Sequence, residues 1–124
     1  MLDAYCSAFI QKSLENYQLY EFLASSKRFL SWQIVAVFYS SLCFVKAYLY
    51  KKGIPINSIN SHDSIKFYLA SEAYAKRNNV LQYYEVLYRN SRDARYTNKI
   101  INQARLDYVL KNYKKVKDLL EKNY

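Results

Sequence analysis

The sequence predicts an all-α protein, a bundle of four to five helices forming one domain over residues 1–124. Three observations carry that expectation. Apolar residues recur at three- and four-residue steps along most of the chain, and the strict alternation of half-buried strands is absent. Hydrophobic residues make up 52% of the chain, with a single Gly and a single Pro, so few positions suit the turns that a β fold needs. A length of 124 residues gives one modest core and no room for two, and neither a linker nor an internal repeat divides it.

From Leu2 to about Leu23, residues Tyr5, Cys6, Phe9, Ile10, Leu14, Tyr17 and Tyr20 keep helical spacing and predict an amphipathic first helix. Ser25 and Ser26 are placed to break it, and Ser31 to cap a second helix whose stripe runs through Trp32, Val35, Ala36, Tyr39, Leu42 and Cys43 to Tyr50. This helix is apolar on nearly every side, which predicts partners all around it, either other helices or a second subunit. Its length also matches a bilayer span, but Gln33, Ser40, Ser41 and Lys46 interrupt it, so a buried core helix and no membrane association are expected. Lys51-Lys52-Gly53 reads as its ending, with cations at the negative terminus and a glycine free to turn left-handed.

A loop rich in Gly, Pro, Asn and Ser reaches Ser61, and Ser61 or Asp63 is placed to cap a third helix carrying Ile65, Tyr68, Leu69 and Ala73. Arg77-Asn78-Asn79 ends it. A fourth helix starts at Val80 and sets Leu81, Tyr84, Leu87 and Tyr88 on one face. The last, from about Lys99, uses Ile100, Ile101, Ala104, Val109, Leu110, Tyr113, Val116 and Leu120.

Nineteen Lys and Arg against ten Asp and Glu give a net charge of +9, which favours encounter with phosphate-bearing partners and also serves solubility. Lys111, Lys114, Lys115, Lys117 and Lys122, interleaved with Asp107, Asp118 and Glu121, read as a solvated face. Cys6 and Cys43 sit on apolar faces without metal-ligand spacing and read as reduced thiols, and no secretion signal opens the chain. A cytoplasmic location is the expectation. One histidine and one glycine exclude Gly-rich phosphate loops, His/Cys metal sets and Ser-His-Asp hydrolases, so no cofactor is expected.

The most informative stretch runs from Tyr83 to Tyr96, where Arg89, Arg92 and Arg95 lie within seven positions beside a tyrosine ladder. A guanidinium is a planar, permanently charged fork that matches two phosphate oxygens, and each tyrosine ring offers a face for stacking. On a regular helix Arg89 and Tyr96 share nearly one face, about 10 Å apart along the axis. Arg92, Arg95 and Lys99 form a neighbouring basic line, suited either to a phosphate backbone or to a solvated face with Asp93 as counter-charge.

Read as R-x4-A-x-Y, Arg89, Ala94 and Tyr96 resemble the R-x4-H-x-Y motif of HEPN-domain ribonucleases, with alanine where that family has its catalytic histidine. The aromatic second helix, the loop through His62 and the stretch from Leu87 to Tyr96 follow in the order of a minimal HEPN domain. The resemblance implies a helical homodimer with the two arginine motifs facing across a basic cleft that holds RNA or a nucleotide. It also implies metal-independent endoribonuclease activity of the toxin kind, or a catalytically impaired relative, and a nucleotidyltransferase antitoxin that modifies the motif tyrosine.

By position, Arg89 takes the phosphate-holding role and Tyr96 the tyrosine role. RNA cleavage through a 2′-hydroxyl needs a base, a cation for the phosphate charge and an acid for the leaving oxygen. Arg89 supplies the cation, Tyr96 is a hydrogen-bond donor rather than a base near neutrality, and Ala94 transfers no proton. His62 is the one imidazole available, either as that missing group or as a surface residue at a helix start. The candidate catalytic set is therefore Arg89, Tyr96 and His62, and the candidate RNA-binding set Arg89, Arg92, Arg95 and Lys99. A non-enzymatic helical adaptor, with incidental basic charge, is the competing reading.

Overall fold

Six α-helices and one short 3-10 turn at Ile56–Ser58 carry the chain, with no strand among the described residues. The computed structural model describes residues 4–97 and 99–123. In order the helices are α1 (Ala4–Ser25), α2 (Leu30–Lys51), α3 (His62–Ser71), α4 (Ala73–Arg77), α5 (Val80–Tyr96) and α6 (Gln103–Glu121).

Helix α2 is the centre of the bundle, contacting α1, α3, α5 and α6. It is long and apolar enough to cross a bilayer by length and composition, and its place in the fold accounts for that composition. Ile34, Val37, Val45, Tyr48 and Leu49 have no exposed surface and meet Ile65, Leu69, Tyr84, Leu87, Val116 and Leu120 from the helices around them. Each such aliphatic side chain contributes roughly 1.5–3 kcal/mol by leaving water. Its polar residues are satisfied locally. Gln33 is buried and donates from Nε2 to the Arg28 carbonyl at 2.7 Å, pinning the turn before α2. The Ser40 hydroxyl sits between Ser13 of α1 and Tyr113 of α6.

Helix α1 runs antiparallel to α2, since Cys6 meets Ala47 and Ser13 meets Ser40. Its buried face is narrower than the periodicity predicts. Cys6 and Ser13 are buried, whereas Tyr5 and Leu14 of the predicted stripe are exposed, as are Leu19 and Phe22 outside it; Leu2 lies outside the described residues. Between α1 and α2 an open apolar groove of about 300 Å³ runs past Leu19, Leu23, Trp32 and Val35.

Three boundaries differ from the sequence expectation. Ser31 does not cap α2; the cap position is Phe29, left-handed at φ 59° with no side-chain cap. The expected third helix is two, because Glu72 leaves helical geometry (ψ 131°) and its carboxylate caps α4 by accepting from the Tyr74 and Ala75 amides. The Tyr48 hydroxyl donates to the same carboxylate. Burial works against the charge on Glu72, but these hydrogen bonds hold its carboxyl below the ordinary value. Helix α6 starts only at Gln103, capped by Asn102 accepting from the Arg105 amide at 2.9 Å, and Ile100 before it is 89% exposed. Ser61 caps α3 as expected, in a reciprocal pair with Ser64, and Gly53 ends α2 at φ 97°.

Candidate nucleic-acid interface

Helix α5 has a buried face and an outer ridge, and an open groove flanks the ridge on either side. Tyr84, Leu87, Asn90 and Ser91 are buried, which turns the charged positions outward. The groove toward α2 and the start of α3 holds about 250 Å³ and is lined by Tyr39, Lys46, His62, Tyr88, Arg92, Arg95 and Tyr96, among others. The groove toward α3 and α4 holds about 560 Å³ and takes in Lys66, Lys76, Gln82, Glu85 and Arg89.

In the first groove the guanidinium groups lie against tyrosine rings. Arg95 donates to the Tyr39 hydroxyl at 3.0 Å and to the Ser91 carbonyl at 3.2 Å, and its guanidinium carbon lies 4.9 Å from the centre of the Tyr96 ring. Arg92 reaches the Tyr88 hydroxyl at 3.3 Å and approaches the Tyr96 ring at 5.3 Å. These contacts fix the side chains without neutralising them, since no carboxylate pairs with Arg92 or Arg95 among the described residues. Tyr96 is 67% exposed, with both guanidinium groups over its ring.

His62 opens α3 and faces α5. Its ring lies on Tyr88, with centroids 3.4 Å apart and planes 8° from parallel. Nδ1 lies 3.2 Å from the Tyr84 hydroxyl and Nε2 lies 3.1 Å from Glu85 Oε1. The tautomer that suits both neighbours carries its proton on Nε2, toward the carboxylate, and accepts the Tyr84 proton at Nδ1. Burial pushes the imidazole below its ordinary value, with Glu85 and Asp63 pulling the other way and Lys66 reinforcing the fall. Tyr84 is fully buried, burial raises its phenol, and His62 supplies its hydroxyl with a partner. Nδ1 is thus hydrogen-bonded within the fold, while Nε2 lies near a Glu85 oxygen that is buried without a hydrogen-bond partner.

The sequence-derived candidates separate. Arg89 and Tyr96 share the outer ridge of α5, but their side chains lean into different grooves. Arg89 points toward α3 and α4, 3.8 Å from Glu85 Oε2, while Tyr96 lies beside Arg92 and Arg95. Ala94, at the position of the family's histidine, is half-buried and packs on the core.

No protein-family model, no curated protein and no solved structure matches the chain.

Lys99 does not extend the line of Arg92 and Arg95, because α5 ends at Tyr96 and the chain turns back. Its ammonium pairs with Asp93 at 3.3 Å, beside the Arg105 guanidinium that binds the same oxygen. Burial opposes the charge on Asp93, but hydrogen bonds from Arg105 and Lys99 keep its carboxyl below the ordinary value. Arg105 Nε also donates to the buried Asn90, so this cluster joins α5 to α6.

Sequence reasoning missed Lys46, Tyr39 and Glu85. Glu85 carried a readable signal, since a carboxylate four residues before Arg89 is placed to pair with it on a helix. Tyr39 and Lys46 enter the groove only through the way α2 packs on α5.

Proposed function

We propose that the protein binds RNA or a nucleotide in the Tyr39–Tyr88–Tyr96 groove and does not cleave it, as a catalytically impaired relative of the HEPN ribonucleases it resembles. The observation that carries this reading is alanine at the motif position, with the one histidine, His62, hydrogen-bonded through Nδ1 to the buried Tyr84. Ala94 moves no proton, and losing a general acid or base costs about a hundred- to ten-thousand-fold in rate. Arg92, Arg95 and Lys46 offer charge to phosphate, and the exposed Tyr96 adds aromatic surface beside them. The homodimer and the nucleotidyltransferase partner implied by the resemblance belong to the same reading.

The test is incubation of the purified protein with single-stranded RNA without added metal, read for binding and for cleavage together. The expected result is intact RNA, retained by the wild type in a salt-sensitive complex and released about tenfold or more readily by Arg95→Ala. Cleaved RNA, with cleavage lost in His62→Ala, would overturn the reading. A monomer mass in solution would remove the dimer from it. The apolar groove past Leu19, Leu23, Trp32 and Val35 favours the second reading, a helical adaptor docking another protein. That reading predicts a salt-insensitive partner complex lost in Trp32→Ala and unchanged in Arg95→Ala.

A further inference from the structure

The turn that joins α1 to α2 carries three aromatic side chains that the fold leaves in solvent. Phe22 in the last turn of α1 is 75% exposed, Phe29 in the turn 51% and Trp32 in the first turn of α2 61%. Lys27 and Arg28 stand among them, and neither makes an ion pair among the described residues. Glu21 is the nearest acid in sequence, and from Phe22 to His62 there is no other.

The turn is built to hold these rings outward. Lys27 (φ 56°) and Phe29 (φ 59°) are left-handed, a conformation that bulky side chains rarely adopt, and Gln33 pins it by donating to the Arg28 carbonyl. The polar groups of the turn are bonded within it. The Ser25 and Ser26 hydroxyls donate to the Phe22 and Leu23 carbonyls, each at 2.7 Å, and the Lys27 amide donates to the Ala24 carbonyl at 3.0 Å. A backbone satisfied in this way loses little when water is withdrawn from it.

The same end of the bundle presents a fourth apolar side chain. Helix α6 runs parallel to α2, since Tyr113 meets Ser40 and Leu119 meets Tyr48 through Tyr74. Gln103 and Leu30, where the two helices start, lie equally far back from the first of these contacts, so the exposed Ile100 just before α6 stands at the end that bears Phe29. Aromatic rings set around a turn, among cations that no acid neutralises, match a lipid interface: the rings settle at headgroup depth while Lys and Arg meet anionic headgroups. We infer that this end of the bundle, through Phe22, Phe29, Trp32, Lys27 and Arg28, is a contact surface for an anionic lipid membrane. The contact is peripheral, and α2 keeps its place in the core.

The inference is independent of RNA binding in the tyrosine groove. Trp32 is the only tryptophan, so its emission reports whether this end leaves water. The full chain is mixed with vesicles of phosphatidylcholine, alone or with phosphatidylserine, and emission and co-sedimentation are read together. The expected result is a blue shift with the mixed vesicles and retention about tenfold or more above that on the neutral ones. Phe22→Gln with Phe29→Asn removes two exposed rings, and asparagine tolerates the left-handed backbone, so this variant is expected to keep the helical circular dichroism and the RNA binding of wild type. It binds the mixed vesicles about tenfold more weakly, as does Lys27→Gln with Arg28→Gln. Lys111→Gln with Lys115→Gln lowers the charge equally at exposed positions of α6 and has a smaller effect. Absence of the blue shift, or equal weakening by the α6 variant, which marks mere adsorption of a basic protein, would overturn the inference. So would a blue shift that grows with protein concentration without lipid, which marks a second copy covering the rings. RNA binding lost in Arg95→Ala, beside vesicles that leave Trp32 unmoved, would keep the tyrosine groove and remove the membrane surface.

Discussion

The buried hydroxyl cluster that ties α1, α2 and α6 together makes a prediction about energetic coupling. Ser40 is its hub: its Oγ donates to the Ser13 carbonyl at 2.9 Å, lies 3.0 Å from Ser13 Oγ and lies 2.8 Å from the Tyr113 hydroxyl. Ser13 and Ser40 have no exposed surface and Tyr113 has 5%, and burial pushes the Tyr113 phenol up to about 12. Tyr113→Phe removes one hydrogen bond but leaves Ser40 bonded to Ser13, so its cost is about 1 kcal/mol. Ser40→Ala removes the hub and strands the Tyr113 hydroxyl in the core, which raises the cost to about 2–3 kcal/mol. In the double variant no hydroxyl is stranded, so adding Tyr113→Phe to Ser40→Ala costs nothing or restores stability. The expected coupling is about 1–2 kcal/mol, well above the scatter of additive pairs. Urea unfolding followed by far-ultraviolet circular dichroism reads all four proteins, and one kcal/mol corresponds to about 3–5 °C in Tm for a chain of this size. Strictly additive losses would refute the hub.

Two further predictions concern the groups around α5. His62 has a folded value below its ordinary 6.5, so the unfolded chain binds the proton more readily and stability falls with acidification. Its contribution is complete above about pH 6.5 and is lost as the pH falls toward the folded value. Glu72 and Asp93, with ordinary values of 4.5 and 3.8, are lowered in the fold and begin to lose their contributions only at more acid pH, so unfolding free energy should decline between pH 6.5 and 5 in wild type. A flat profile there, or one unaltered by His62→Asn, would contradict the assignment. Arg105→Ala removes a partner from both Asp93 and the buried Asn90, and with the pair still partly solvated it should destabilise by about 1–2 kcal/mol. Chemical denaturation checks this, and a neutral effect would show that the cluster adds nothing to the packing of α5 on α6.

The helices were legible because their causes are local. The stripe from Tyr84 through Leu87, the capping serine at Ser61 and the glycine stop at Gly53 act within a turn or two of chain, and each stands where the sequence puts it. The break at Glu72 was not legible, because its carboxylate is shared between the α4 amides and Tyr48, twenty-four residues away. Nor was the exposure of Tyr5 and Leu14, since apolar spacing on α1 says which residues align but not how much of that stripe α2 can cover. At the candidate interface the sequence identified the neighbouring pair Arg92 and Arg95, but extended their line to Lys99 and set Tyr96 with Arg89. It had no means of bringing Tyr39 and Lys46 beside them, or of sending Arg89 to the other side, because both depend on the packing of elements distant in sequence.

The division of α5 follows from its own periodicity together with one carboxylate. At about 100° per residue, Tyr84, Tyr88 and Arg95 turn toward α2, while Gln82, Val86 and Arg89 turn toward α3 and α4. Glu85 lies between the sets, and its two oxygens face His62 on one side and Arg89 on the other. Had Oε1 been solvated, His62 would lack a fixed neighbour at Nε2 and the ring would be free to present that nitrogen to a ligand. Oε1 is buried near the imidazole without a hydrogen-bond partner, and the histidine serves the fold by satisfying Tyr84 and stacking on Tyr88. What remains open beside it are the Arg92, Arg95 and Lys46 cations of the tyrosine groove, on which the proposed phosphate binding rests.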